Sequence, residues 1–196
     1  GVKKELNNLK DYILHLSNWI PEDILNQTLK ILKKEKNWQQ HQYTNTKTFM
    51  AKSKNKEKEL DVCYGDNLTC VKKIQDLVWK GLEKYIVKDK LGGDVFKGWS
   101  GFSKLRFNRY NKNQIMSKHA DHIVSLFSGD VRGIPILSIV GILNDNYQGG
   151  EFVMFNDYKI KFKPGDLIIF PSVFLYPHKV NPVTNGTRYS FVSWCY

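Results

Sequence analysis

Apolar residues recur along this 196-residue chain with two different periods, and the change falls near its middle. After Pro21-Glu22-Asp23, the residues Ile24, Leu25, Leu29 and Leu32 return at helical spacing, which predicts an amphipathic helix with proline at its start. From Leu68 to Val87, Val71, Ile74, Leu77, Val78, Leu82 and Tyr85 share one side of a second helix, closed by Gly92-Gly93-Asp94. Between them, Gln39 to Asp61 is polar, lysine-rich and without a period, and reads as a mobile loop of the kind that serves as lid or binding segment.

From Trp99 onward the pattern shortens to strands: Phe102–Tyr110, Gln114–His119, Ile134–Leu143, Glu151–Phe155, Lys159–Phe162, Asp166–Phe170, Tyr176–Val180 and Arg188–Trp194. Asn111-Lys112-Asn113, Asp145-Asn146, Gly149-Gly150, Pro164-Gly165-Asp166 and Asn185-Gly186 punctuate them as turns. About eight short strands behind two helices predict an α+β, mainly β fold: a jelly-roll core with N-terminal supporting helices. No repeat, low-complexity tract or linker divides the chain. The expectation is one structural domain, with residues 1–98 as helices and lysine-rich loop supporting a core over 99–196.

Composition narrows the class. An apolar fraction of 41% with 13% aromatics fits a globular protein, and no run of about 18 apolar residues predicts a membrane helix. The start, Gly1 to Asn8, has no apolar signal core, and Gly1–Leu6 lacks the Ser or Thr of a myristoylation site. Cys63, Cys70 and Cys195 are an odd number without a C-x-x-C pair, so the expectation is a reduced, cytoplasmic monomer away from membranes. The net charge of +11 is concentrated in Lys33-Lys34-Glu35-Lys36 and in Lys52 through Lys58. These lysines alternate with Glu and Asn rather than with aromatics, which favours a solvated surface, then an acidic partner, and leaves nucleic acid open.

The candidate chemistry lies in the last 80 residues. His119 and Asp121, in His-Ala-Asp, together with His178 supply two imidazoles and a carboxylate, the set that holds a non-haem Fe(II) with three positions open. On a strand His119 and Asp121 leave from one face, and His178 must come from a strand adjacent in the sheet. Zinc would recruit a fourth ligand or thiolates, and none is offered nearby. Taken alone, His-x-Asp fits equally well a buried histidine hydrogen-bonded to its neighbour. His122 would face the other way as a structural residue, and His15 and His41 carry no sign of a partner. Arg188, at the start of the last strand, could clamp a dicarboxylate such as 2-oxoglutarate, or pair structurally with a residue such as Asp166. Tyr110 and Trp194 fit a core as well as a pocket.

The downstream order adds Gly149-Gly150-Glu151-Phe152, then Lys163-Pro164-Gly165-Asp166-Leu167-Ile168-Ile169-Phe170-Pro171, then His178, then Arg188-x-Ser190. With these, the segment Arg109–Tyr196 resembles the catalytic core of the 2-oxoglutarate/Fe(II) oxygenases and is most similar to prolyl 4-hydroxylases. The resemblance covers about half the chain. It implies a double-stranded β-helix core, iron held by His119, Asp121 and His178, and the distal carboxylate of 2-oxoglutarate bound by Arg188 and Ser190 with Tyr110 in contact. It further implies O2 as oxidant, ascorbate as reductant, conversion of 2-oxoglutarate to succinate and CO2, and hydroxylation of an unactivated C–H with no general base. Met116 departs from the tyrosine usual three residues before the first ligand. Trp194 resembles an aromatic closing the pocket floor, and Arg132 a substrate-facing arginine.

For the substrate, the stretch Leu105-Arg106-Phe107-Asn108-Arg109-Tyr110 leans towards prolyl hydroxylases, hence a peptide or protein, acidic beside its target proline to suit the lysines. The alternatives are a nucleobase or small molecule, and a binding module that has lost iron. Nucleobase demethylases of the superfamily carry a second arginine six positions beyond the first, where this chain has Trp194. Retention of all four key residues opposes the binding module.

Overall fold

The structure is a computed structural model describing residues 8–44, 51–52, 59–65, 68–96, 98–121 and 134–196. In chain order its strands are β1 (Leu14–Leu16), β2 (Gln39–Gln40), β3 (Tyr43–Thr44), β4 (Ala51–Lys52) and β5 (Asp61–Tyr64). After them come β6 (Arg106–Tyr110), β7 (Met116–His119), β8 (Leu137–Ile142), β9 (Gln148–Gly149) and β10 (Phe152–Met154). The chain closes with β11 (Tyr158–Ile160), β12 (Leu167–Pro171), β13 (His178–Val180), β14 (Val183–Asn185) and β15 (Arg188–Cys195). Helix α1 (Glu22–Lys34) follows β1, and α2 (Val71–Glu83) follows β5. Glu22 and Asp23 in the first turn of α1, and Lys33 and Lys34 in its last, oppose the helix dipole with the favourable signs.

Two sheets make the body. Seven strands pair in the order β1-β12-β8-β15-β6-β5-β2, and four in the order β11-β10-β13-β7. All pairings among these strands are antiparallel. The expected mainly β double-stranded β-helix is therefore the fold.

The large sheet is buried on both faces, and the period of two sorts its residues between them. Leu137 and Ile139 of β8, Leu167 and Ile169 of β12, and Tyr189 and Phe191 of β15 join a core with Leu25 and Leu32 of α1 and Ile74, Val78 and Leu82 of α2. The alternate residues Val140, Ile142, Ile168, Phe170 and Val192 join a second core with Phe152, Met154 and Val180 of the small sheet. This explains why β8, β12 and β15 read as nearly continuous apolar runs. At Gly141 a Cβ would fall 2.1 Å from the Phe191 ring, so the bare backbone is what seats that ring under the helices.

The structure departs from the sequence reading in its N-terminal part. Besides helices, that part supplies β1, β2 and β5 to the edges of the large sheet. The Gln39–Asp61 stretch, expected as a loop, pairs Gln39 with Val62, Gln40 with Asp61, and Tyr43–Thr44 with Ala51–Lys52; residues 45–50 and 53–58 lie outside the described residues. Two-residue strands carry no detectable period, which is why the pattern hid them. His15 and His41, read as partnerless, both meet carboxylates: His15 Nε2 lies 2.8 Å from Asp166 Oδ2, and His41 Nδ1 lies 3.6 Å from Glu59 Oε2. Both contacts arise from long-range packing. The three cysteines are free and buried. Among the described residues no helix is long and apolar enough to cross a membrane.

The seating of Phe191 is testable by urea unfolding. Phe191→Ala should cost about 3–5 kcal/mol, and Gly141→Ala should also destabilise. Together they should cost less than their sum, because the new methyl enters the space the ring has left. Strict additivity would show that the ring is not seated on Gly141.

Candidate metal and co-substrate site

The pairing of β7 with β13 places His119 directly opposite His178, and the chain leaves β7 so that Asp121 closes the third corner. Asp121 Oδ1 lies 3.1 Å from His119 Nε2 and 3.4 Å from His178 Nε2, and one ligand atom from each residue falls within 4.8 Å of the others. The sequence reading put Asp121 on the strand with His119. It lies two residues past the strand end, where the strand's alternation no longer applies.

Backbone carbonyls orient both rings. His119 Nδ1 is 2.7 Å from the carbonyl oxygen of Ser117, and His178 Nδ1 is 3.0 Å from that of Tyr176. A carbonyl only accepts, so each Nδ1 carries the proton and each Nε2 turns its lone pair to the common point. The carboxylate is held in the same fashion: Ser138 Oγ donates to Asp121 Oδ2 at 2.6 Å and lies 2.7 Å from Ser172 Oγ. Ser117, whose carbonyl steadies His119, donates its hydroxyl to the buried Glu59. Outer contacts of this kind commonly fix metal ligands. Two neutral imidazoles and one carboxylate, without a thiolate beside them among the described residues, suit a divalent first-row metal such as Fe(II).

Without metal, Asp121 and His178 shift each other's protonation. Burial of Asp121 pushes its pKa up, but the two imidazoles outweigh it and the carboxyl stays well below its ordinary value. Burial of His178 pulls its pKa down, but the Asp121 carboxylate outweighs that and the imidazole is held above its ordinary value.

Arg188 occupies the same cavity as the triad, which both sheets line. It is 1% exposed. One terminal nitrogen donates to Ser190 Oγ at 3.1 Å, and the guanidinium carbon sits 4.9 Å from the centre of the Tyr110 ring, which β6 presents directly opposite. Its Nε has no hydrogen-bond partner, and no carboxylate pairs with it among the described residues. Asp166, the structural partner weighed from sequence, is engaged elsewhere, by His15 and by the backbone N–H groups of Asn18 and Lys163. Gly150, at φ +65°, lies so close that a Cβ there would meet Arg188 Cδ at 3.1 Å. The Tyr110 hydroxyl points to Met116 Sδ at 3.9 Å, and burial pushes its pKa up, so it stays a protonated donor. A buried guanidinium, a hydroxyl and a phenol together make a receptor for a carboxylate.

Of the residues singled out from sequence, His119, Asp121, His178, Arg188, Ser190, Tyr110 and Trp194 all line this one cavity. Arg132 and His122 lie outside the described residues. The sequence reading missed Ser138, Ser172, Glu59, Asn108 and Arg106. The last two repeat at period two with Tyr110, so the strand pattern contained them. The others meet the site only through pairings between distant segments.

Comparison with known proteins agrees with this geometry. Residues 105–196 match the model of the 2OG-Fe(II) oxygenase superfamily. A PKHD-type hydroxylase from Delftia acidovorans is 35% identical over 95 residues, covering 45% of this chain and 41% of that protein. One from Xylella fastidiosa is 35% identical over 106 residues, covering 45% and 42%. The chain thus spans about two-fifths of the length of these curated relatives. Among solved structures, a prolyl hydroxylase from Trichoplax adhaerens in complex with a hypoxia inducible factor peptide fragment superposes with TM-score 0.72 at 17% identity, over 95% of this chain and 84% of that one. A Pseudomonas putida prolyl-4-hydroxylase gives 0.62 at 18% identity, over 94% and 91%. At such identities the structures speak for the fold. Residues 105–196, a little under half of the chain, thus resemble the 2OG-Fe(II) oxygenase superfamily, and the fold is the one seen in the prolyl hydroxylases.

Ser138→Ala should weaken Mn(II) or Fe(II) binding about 10–100-fold, by freeing the Asp121 carboxylate to rotate. Anaerobic calorimetry reads this directly; unchanged affinity would deny Ser138 its orienting role. Metal binding should also weaken as pH falls through the raised pKa of His178, since the metal needs the neutral ring. An affinity independent of pH across that range would contradict the coupling.

Proposed function

We propose that the chain is a 2-oxoglutarate- and Fe(II)-dependent dioxygenase hydroxylating an unactivated C–H, and that its substrate is a prolyl residue in a peptide or protein. The observation that carries the reading is Arg188: a buried cation without a carboxylate partner among the described residues, in one cavity with a two-histidine, one-aspartate cluster. The prolyl part draws support from the PKHD-type hydroxylases in sequence and from the prolyl hydroxylases in fold.

In this reading His119, Asp121 and His178 would hold the iron. When bound, the iron would supply the oxidising chemistry by which O2 and 2-oxoglutarate give succinate, CO2 and a hydroxylated substrate. Arg188 and Ser190 grip the distal carboxylate, with the protonated Tyr110 as a third donor. Ser138 keeps Asp121 in its ligating orientation. Val140, Val180, Val192 and Phe152 complete an apolar wall that keeps water from the reacting atoms. No side chain is assigned as general base. Ascorbate would serve as external reductant, and the chain would act as a monomer.

The direct test is incubation with Fe(II), 2-oxoglutarate and O2 against a panel of proline-containing peptides, with single-stranded oligonucleotides as the competing class. The expected result is a gain of one oxygen on proline, with succinate formed alongside. His119→Ala, Asp121→Ala and His178→Ala should each abolish it while circular dichroism stays native. Arg188→Ala should cost 2-oxoglutarate binding about 2–5 kcal/mol, at least about thirtyfold in affinity, with metal binding retained. Oxygen incorporated into an oligonucleotide instead would overturn the prolyl assignment, and wild-type succinate production in all three triad variants would overturn the iron site.

A further inference from the structure

Arg106 is the second arginine of the cavity. It stands on β6 on the same face as Asn108 and Tyr110, paired across to Val192 where Tyr110 is paired to Arg188. Four strand positions separate the two levels, about 13 Å along the sheet. The levels differ in exposure: Arg188, Tyr110 and Ser190 are buried, whereas Arg106, Trp194, His119 and Asp121 are partly open. The cavity thus has a closed end at Arg188 and an open end at Arg106, with the triad towards the open end.

Two arginines of one strand have opposite circumstances. Arg109 is satisfied: it forms an ion pair with Asp61 at 2.8 Å and lies over the Trp38 ring. Arg106 has no carboxylate partner among the described residues. Its Nε donates to Asn108 Oδ1 at 3.1 Å and its guanidinium carbon lies 5.2 Å from the centre of the Trp194 ring, so the plane is held. No bond to a described residue occupies its terminal nitrogens. Trp194 Nε1, a buried N–H of the same wall, also lacks a hydrogen-bond partner among the described residues. Guanidinium and indole donate and never accept. A wall of fixed donors that no carboxylate among the described residues pairs with is complementary to a carboxylate.

We propose that Arg106, seated on Trp194, receives a carboxylate of the primary substrate, so that this enzyme selects an acidic side chain close to the residue it hydroxylates. The proposal rests on the oxygenase reading of the cavity. A five-carbon diacid, about 5 Å between its end carbons from bonds of roughly 1.5 Å, gripped at Arg188 fills the closed end, and Arg106 is left for the substrate. A planar fork held against an aromatic ring recognises a carboxylate with both nitrogens, so the selection is geometric as well as electrostatic.

The test is anaerobic calorimetry on protein loaded with Mn(II) and 2-oxoglutarate. The probes are blocked peptides in which one Glu, before or after a central Pro, is compared with Gln, and the same pairs with Ala in place of Pro. The acidic member should bind at least tenfold tighter, and Arg106→Gln should reduce that ratio to about one. Arg106→Lys should keep only part of it, having the charge without the fork. A ratio unchanged in Arg106→Gln would assign the preference to the lysine-rich surface and overturn the proposal, as would the absence of any preference in the parent. A 2-oxoglutarate dissociation constant raised tenfold or more in Arg106→Gln would make Arg106 a co-substrate ligand and also overturn it. Equal acid selection with and without Pro would reject the prolyl reading and leave the Arg106 assignment standing.

Discussion

Burying a guanidinium away from any counter-charge is among the least favourable things a fold can do, and removing one partner of a buried pair typically costs about 3–5 kcal/mol. Arg188 is in that condition by design of its surroundings. β15 runs through the middle of the large sheet, β6 lays the Tyr110 ring against the cation, Ser190 answers one nitrogen, and Gly150 leaves room for the stem. These contacts hold the side chain still, and no carboxylate among the described residues neutralises it. Such a site is stable in use only with an anion present, and the anion it fits is one carboxylate of a small diacid reaching towards the triad.

The same strands that carry this constraint also position the metal ligands. Burying the large sheet under α1 and α2 on one face fixes the register of β8, β12 and β15, because a slip by one residue would turn Leu137, Leu167 and Phe191 into the cavity. That register also sets Ser138 where it meets Asp121, with Ser172 hydrogen-bonded to Ser138, and leaves Arg106 and Arg188 on the inner face. The helices contribute nothing to the chemistry directly. Their role is to make one alternation of the strands the only stable one, and the site is a consequence of it.

Legibility in the sequence followed range. Eight of the ten strands from β6 onward (all but the short β9 and β14), both helices, and the residues of the triad and of the Arg188 clamp stood out, because period-two and helical patterns and the His-Ala-Asp spacing are local. β1, β2 and β5 did not, since strands of two to four residues are defined by their partners. The carboxylate partners of His15 and His41 were invisible for the same reason, each being created by the packing of distant segments. Ser138 lies 17 residues from Asp121 and carries no signature of its own; only the fold makes it an orienting group. Arg106 was the exception, present in the strand alternation with Tyr110 but unremarkable until its lack of a carboxylate partner among the described residues could be compared with the ion pair of Arg109.

One cavity holding metal and diacid together is the central claim, and thermodynamic coupling between the two ligands measures it most directly. 2-Oxoglutarate titrated anaerobically by calorimetry into the protein with and without Mn(II) gives the coupling, and by linkage the same factor must appear when metal is titrated with and without 2-oxoglutarate. A shared cavity predicts that each tightens the other at least tenfold, with glutarate, which keeps both carboxylates but lacks the keto oxygen, showing a smaller factor. Equal 2-oxoglutarate affinity in the presence and absence of metal would mean that the carboxylate receptor and the triad are separate sites, and would contradict the claim.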